Sequence, residues 1–404
     1  MCGTYWTVRR RFERAGHLDD AEIGFQMKIV FLIRSLAYGG AERQLVALAR
    51  GLHGRGHAVH VGVFYPGGAL EADLHAAGVP VTNLNKGGRW DTVGFLWRLG
   101  HFLRNERPQI VHGYLSTSNY LGTLTKPLHR ARVVWGIRSS DVDVDRYDWF
   151  FRLDCEVARR LSRLSDLIIA NSNAGRDHAV ALGYPADRAI VITNGIDTER
   201  FRPDRQLRSA ARVGLGVGDN EVLIGRVGRL DHQKDYPTFL RAAAIVARQQ
   251  PNTKFVCVGT GPAEIGRSLR DLTAQLGLTD RVIWTGARPD MPAVFNALDV
   301  MVSSSAYGEG LPNVVAEAMA CGVPSVVTST GDSAWVVGDM GKVVERGDPT
   351  ALAAATVEVI DTVVAKTVDH AAVRRRVIDL LSLDSLVTQT ETALRPLVRE
   401  RSFA

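Results

Sequence analysis

At 404 residues the chain is longer than one hydrophobic core usually holds, so two domains are expected. Its 46% hydrophobic and 23% charged content is that of an ordinary globular protein. No apolar run approaches the ~20 residues of a membrane-spanning helix. The net charge of +6 suits anions or an acidic membrane surface, but no dense Lys/Arg run is interleaved with aromatics, so nucleic acid is not expected as a partner.

Residues 1–26 stand apart. Arg9-Arg10-Arg11 is basic and Asp19-Asp20 with Glu22 acidic, and neither an apolar core nor an A-x-A cleavage site marks a secretory signal. The segment reads as a poorly ordered extension ahead of Met27. From there strand and helix patterns alternate. Lys28 to Ile33 is apolar without alternation, as in a strand buried on both faces. Gly39-Gly40 opens a helix whose Leu45, Leu48, Ala49 and Leu52 recur at helical spacing. Further strands are expected at 58–64, 79–84, 109–112, 132–137, 166–170 and 189–192, with helices at 91–105 and 147–164 among them.

Asn194-Gly195-Ile196-Asp197 reads as a turn, and the charged stretch after it as a boundary. A second series begins at 221–227 and continues at 254–258, 281–284, 299–302 and 325–327. The fold class is therefore α/β, with two doubly wound parallel-sheet lobes at 27–200 and 201–380. The helical stretch 351–399 exceeds what the second lobe needs, so its last part, 381–404, is expected to cross back to the first. Cys2, Cys155, Cys257 and Cys321 are scattered without metal-ligand spacing, which suggests a reducing compartment and no structural zinc.

The densest stretch runs from Ser303 to Pro324. It reads as strand, loop and helix, with Pro312 in the first turn and Gly322 with Pro324 at the stop. Such a helix start offers unpaired N–H groups to a phosphate. Glu309 lies just before the helix and Glu317 inside it, at most about 12 Å apart on one side. That is about the reach from a ribose to a sugar across a diphosphate. The plainer alternative is a dipole-complementing glutamate and an ordinary solvated one. Val227 to Asp235 leaves a buried strand and presents Arg229 and Lys234, which suit a diphosphate, or else form a solvated loop quenched by Asp231 and Asp235. Gly259-Thr260-Gly261 and Thr285 to Asp290 follow the next two strands, so four strand ends carry Gly, Arg, Lys or Glu. Gly39-Gly40 alone suits a tight turn as well as a ligand loop.

Together these residues resemble the family-four retaining glycosyltransferases of the GT-B fold, over nearly all of 27–350. The resemblance is carried by Gly39-Gly40-Ala41-Glu42, Asn194 to Asp197, Gly228-Arg229 with Lys234, and Glu309-Gly310 through Glu317 to Gly322. It implies an acceptor lobe followed by a donor lobe and a nucleotide diphosphate sugar as donor. Arg229 and Lys234 would hold the diphosphate, Glu309 the sugar hydroxyls and Glu317 the ribose. Gly310, Leu311, Asn313 and Val314 would contact sugar and phosphate through their backbone, Arg288 would edge the base, and Gly39-Gly40 would close from the other lobe. No metal and no cofactor are implied. Many relatives carry His-x-His after the fourth strand and another histidine after the fifth. Here His112 remains, while Tyr114 and Arg138 occupy the other places. Arg138 then reads as an anion ligand or as a structural arginine.

The function implied is retaining transfer of a hexosyl-type group to a glycan or lipid-linked acceptor in cell-surface polysaccharide biosynthesis. It would take place in the cytoplasm, with peripheral contact at the inner membrane. Another two-lobed nucleotide-sugar enzyme, of epimerase or phosphorylase type, and a non-catalytic nucleotide-sugar sensor stay open.

Overall fold

The computed structural model describes residues 25–88, 91–138 and 149–399. All but the last two residues of the expected extension lie outside them.

Two parallel sheets account for the described strands. The first contains β1 (Lys28–Ile33), β2 (Ala58–Val63), β3 (Val81–Asn83), β4 (Ile110–Tyr114), β5 (Arg132–Ile137), β6 (Leu167–Ala170) and β7 (Ala189–Val191), in the order β3-β2-β1-β4-β5-β6-β7. The second contains β8 (Val222–Val227), β9 (Thr253–Val258), β10 (Val282–Gly286), β11 (Val300–Ser303), β12 (Ser325–Thr328) and β13 (Gly341–Val344), in the order β10-β9-β8-β11-β12-β13. The alternating apolar runs thus fold as the doubly wound lobes they predict. Phe31, Ile110 and Val134 fill the first core; Ile224, Val300 and Val326 lie in the second lobe's core.

Strand β13 was not foreseen. It lies at the sheet edge with Lys342 and Val343 exposed, so its sequence carries no continuous apolar run.

The strand orders locate the ligand crevice. Order reverses between β1 and β4 in the first sheet and between β8 and β11 in the second. Loops leaving such neighbours diverge to opposite faces and leave a crevice beyond the strand ends. Around it therefore stand Gly39-Gly40 after β1, His112 and Tyr114 at the end of β4, Arg229 and Lys234 after β8, and Glu309 after β11.

The last helix, Leu383–Arg399, buries Leu386, Val387, Leu394 and Val398 in the first lobe's core. The helix before it, His370–Leu381, buries Val373 and Val377 in the second. At the crossing Ile196 N–H donates to the Leu381 carbonyl (2.6 Å). Arg374 ties the same region together by donating to the carbonyls of Thr198, Phe201 and Ala320. Among the described residues no helix is long and apolar enough to cross a membrane.

Candidate functional site

The site is assembled from the bottom of the second sheet. Arg226 sits fully buried inside the apolar run of β8 and turns its guanidinium toward the strand ends. It donates to the carbonyls of Val227 (2.9 Å) and Lys234 (2.5 Å) and to the hydroxyls of Ser304 (3.2 Å) and Ser305 (3.3 Å). The Ser304 hydroxyl donates to the carbonyls of Lys234 and Asp235. The loops after β8 and β11 are thus fixed to each other from below. The sequence hid Arg226 within a strand; a charge in an otherwise unbroken apolar run was the available signal.

On that support the Lys234 ammonium pairs with Glu309, whose Oε1 also accepts from Ser305 Oγ (2.7 Å). Burial pushes the Glu309 carboxyl up, but Lys234, Ser305 and Arg226 outweigh it and leave the group below its ordinary value. A buried carboxylate held ionised beside an ammonium presents acceptor and donor together. Sugar hydroxyls and a phosphate oxygen are the groups such a pair can address.

Glu317 is different. It lies on the helix Asn313–Ala320, 6% exposed, with Oε1 3.6 Å from Arg43 Nη1 of the opposite lobe. Its Oε2 is buried without a hydrogen-bond partner. Burial raises this carboxyl above its ordinary value, against the pull of Arg43 and Arg200. An unmet buried acceptor is costly unless a ligand's donors meet it. Arg43, inside the helix Gly40–Gly54, was missed as a partner because 274 positions separate it from Glu317.

The lobes meet directly around this helix. Asn194 Nδ2 donates to Asn313 Oδ1 (2.8 Å). A Cβ on Gly40 would stand 3.4 Å from Asn313 Nδ2, and one on Gly310 only 2.7 Å from Asn171 Oδ1, so Gly310 allows a close approach. Asp332 of the second lobe accepts from the backbone N–H groups of Asn173 (2.7 Å) and Ala174 (2.9 Å), covering the start of the helix Asn173–Ala181. Gly39 precedes the helix Gly40–Gly54, Leu311 is buried, and Val314 packs on the second lobe's core.

The other expected residues are not brought against the two glutamates. Arg229 is 75% exposed and pairs with Asp231 (3.1 Å) in its own loop, so the structure does not bring its charge onto Glu309 as it does that of Lys234. Arg288, in the loop after the edge strand β10, is held by Asp290 and lines a cavity with Leu207 and Ala211. Gly259 has a packing reason: a Cβ there would meet the Gly228 carbonyl at 1.9 Å. His112 is buried between Phe31 and Tyr114, and burial, helped by Arg138, holds it neutral by lowering its pKa well below the ordinary value. Arg138 stacks over the Tyr114 ring at 4.1 Å. The segment after Arg138, from Ser139, lies outside the described residues.

Two family models match the chain: Glycosyltransferase Family 4 over residues 38–200, and Glycosyl transferases group 1 over residues 221–362. Similar proteins include a D-inositol 3-phosphate glycosyltransferase of Saccharomonospora viridis, 34% identical over 185 residues (43% of this chain, 42% of that protein). The lipopolysaccharide core biosynthesis mannosyltransferase LpsB of Rhizobium meliloti is 34% identical over 174 residues (42% and 47%). The matches to these curated relatives span less than half of their length. Among solved structures, Anabaena Alr3699/HepE in complex with UDP-glucose superposes with a TM-score of 0.82 at 24% identity, covering 92% of this chain and all of that one. Sucrose-phosphate synthase from Thermosynechococcus elongatus gives 0.78 at 19% identity, with 92% and 100% coverage. Two lobes in this arrangement, each matched by its own family model, make the chain a member of the family 4, group 1 glycosyltransferases, with the GT-B fold.

Proposed function

We propose that this chain is a retaining, metal-independent glycosyltransferase, moving a hexosyl-type sugar from a nucleotide diphosphate sugar to a glycan or lipid-linked acceptor. The observation that carries the reading is the pair of buried glutamates flanking one helix start, one salt-bridged to Lys234 and the other with an unmet oxygen. The ribose hydroxyls would donate to Glu317, the diphosphate would lie over the start of the helix Asn313–Ala320, and the transferred sugar would reach Glu309. The backbone of Gly310, Leu311, Asn313 and Val314 would line that path. Lys234 would support the departing phosphate, and Arg229, free to swing from its exposed pair with Asp231, would add a second cation. With these charges and the helix start facing the diphosphate, a bridging metal is not required.

In the transfer the bond from the anomeric carbon to the diphosphate oxygen breaks as the acceptor oxygen attacks the same face. The acceptor proton passes to the departing phosphate oxygen, so no separate base is needed. Closure of the lobes at Asn194–Asn313 and Asn171–Gly310 would exclude water. A relative named for lipopolysaccharide core biosynthesis supports a place in cell-surface polysaccharide assembly; such an acceptor would be met at the cytoplasmic face of the inner membrane.

Incubation with a panel of nucleotide sugars and extracted acceptor in EDTA tests this. One donor should be consumed, and the anomeric proton coupling of the product should match that of the donor. An inverted linkage, or turnover restored only by added divalent metal, would refute it.

A further inference from the structure

We infer that the corner formed by Tyr114 and Arg138, at the ends of β4 and β5, binds an oxyanion carried on the acceptor, a phosphate or a carboxylate. Arg138 Nε and Nη1 are buried without a hydrogen-bond partner. So are both ring nitrogens of His112, and the Tyr114 hydroxyl, buried beside the Arg138 guanidinium, meets no other group. No carboxylate among the described residues pairs with Arg138. Arg226 and Arg212, more deeply buried than the half-buried Arg138, are by contrast each held by several acceptors, although Arg212 Nε is itself unmet. A guanidinium in such surroundings is costly to leave unpaired, and an anion relieves that cost directly.

The corner is shaped as well as charged. The Tyr114 ring supports the guanidinium plane at 4.1 Å, which fixes where its N–H groups stand. Gly136 lets the two strands and the rings pack closely there: a Cβ would meet the Gly113 carbonyl at 2.8 Å and would touch His112 Nε2 and the Tyr114 ring at 3.5 Å. The neutral His112 offers one more donor without adding charge.

Its place in the sheet assigns the anion to the acceptor. β4 and β5 lie between β1 and β6, whose end loops meet the second lobe at Gly40–Asn313 and Asn171–Gly310. The donor diphosphate is already provided for on the second lobe by Lys234 and the helix start. An oxyanion at Arg138 therefore enters from the other side of the cleft, with the acceptor. This assignment rests on the proposed glycosyltransferase reading; the anion site itself does not.

The test is calorimetric titration of the full chain with glucose 1-phosphate, glucuronate and glucose, each with and without saturating nucleoside diphosphate. At least one charged sugar should bind about tenfold or more tightly than glucose. Arg138→Gln should bring it to the level of glucose, and Arg138→Lys should keep part of the preference, both variants being checked for wild-type unfolding temperature. Preference for glucose 1-phosphate identifies a phosphate, and preference for glucuronate a carboxylate. No preference in the wild-type protein, or a preference that survives Arg138→Gln, overturns the inference. Absent nucleotide binding with Arg138-dependent anion binding intact would sink the donor site and leave this one standing.

Discussion

Lys234 and Glu309 stand 75 residues apart in the chain and form one ion pair above the crevice between β8 and β11. The pair is nearly buried, with side-chain exposures of 16% and 10%. Breaking it from one side is therefore worse than removing it. Lys234→Met leaves a buried carboxylate uncompensated and should cost about 3–5 kcal/mol of stability. Lys234→Met with Glu309→Gln should recover at least half of that, read from urea midpoints at constant slope. Equal losses in the single and double variants would show that the ion pair is not what holds these loops.

Arg226 should behave as a positioning residue. Arg226→Met removes a donor from two carbonyls and two hydroxyls at once and should destabilise by at least about 2 kcal/mol. Because the Lys234 carbonyl loses its hold, nucleotide affinity should fall even in the folded fraction. A variant that is less stable yet binds nucleotide normally would confine Arg226 to packing.

The two glutamates should titrate in opposite senses. Burial raises Glu317, so the folded chain keeps a proton that the unfolded chain has released. Its stabilising contribution is fully present below the unfolded value and is lost as pH rises through the folded one. Glu309 is lowered, so its contribution is present above the unfolded value and is lost as pH falls through the folded one. Ribose hydroxyls donating to Glu317 favour its ionised form. Nucleotide affinity should then rise with pH across the raised pKa, with proton release seen as binding heats that depend on the buffer. Glu317→Gln should abolish that dependence. Its persistence in the variant would move the proton to another group.

Asp332 bridges the lobes through the start of the helix Asn173–Ala181. Asp332→Ala should cost about 1–2 kcal/mol, as loss of a helix-capping acceptor does, and should loosen closure. Small-angle scattering should show a larger radius of gyration in the free variant that contracts when nucleotide is added. Identical scattering of variant and wild type would mean that Asp332 caps the helix without controlling the cleft.

What the sequence revealed and what it concealed follow one division. Buried parallel strands are apolar nearly throughout, so β1, β8 (Arg226 apart) and β11 could be read from composition and length. The half-exposed edge strand β13 could not. The Ser303–Pro324 stretch announced its helix because proline and glycine punctuate it; the helix spans Asn313–Ala320, with Pro312 just outside rather than in its first turn. Which cation reaches Glu309 was not legible. Arg229 and Lys234 share a loop, and only the three-dimensional course of that loop turns one inward and leaves the other in solvent. Arg43 beside Glu317 and Asp332 beside Asn173 are pairings between lobes, set by how two sheets dock rather than by any local pattern.

The proposed donor site turns on Glu317, whose unmet oxygen lies buried beside Arg43. Calorimetric titration with UDP, GDP, ADP and dTDP in the presence of EDTA, alongside Glu317→Ala, tests it most directly. One nucleotide should bind selectively without metal, and the variant should bind it about tenfold or more weakly while staying folded. Binding of none of the four, or binding indifferent to Glu317, would contradict it.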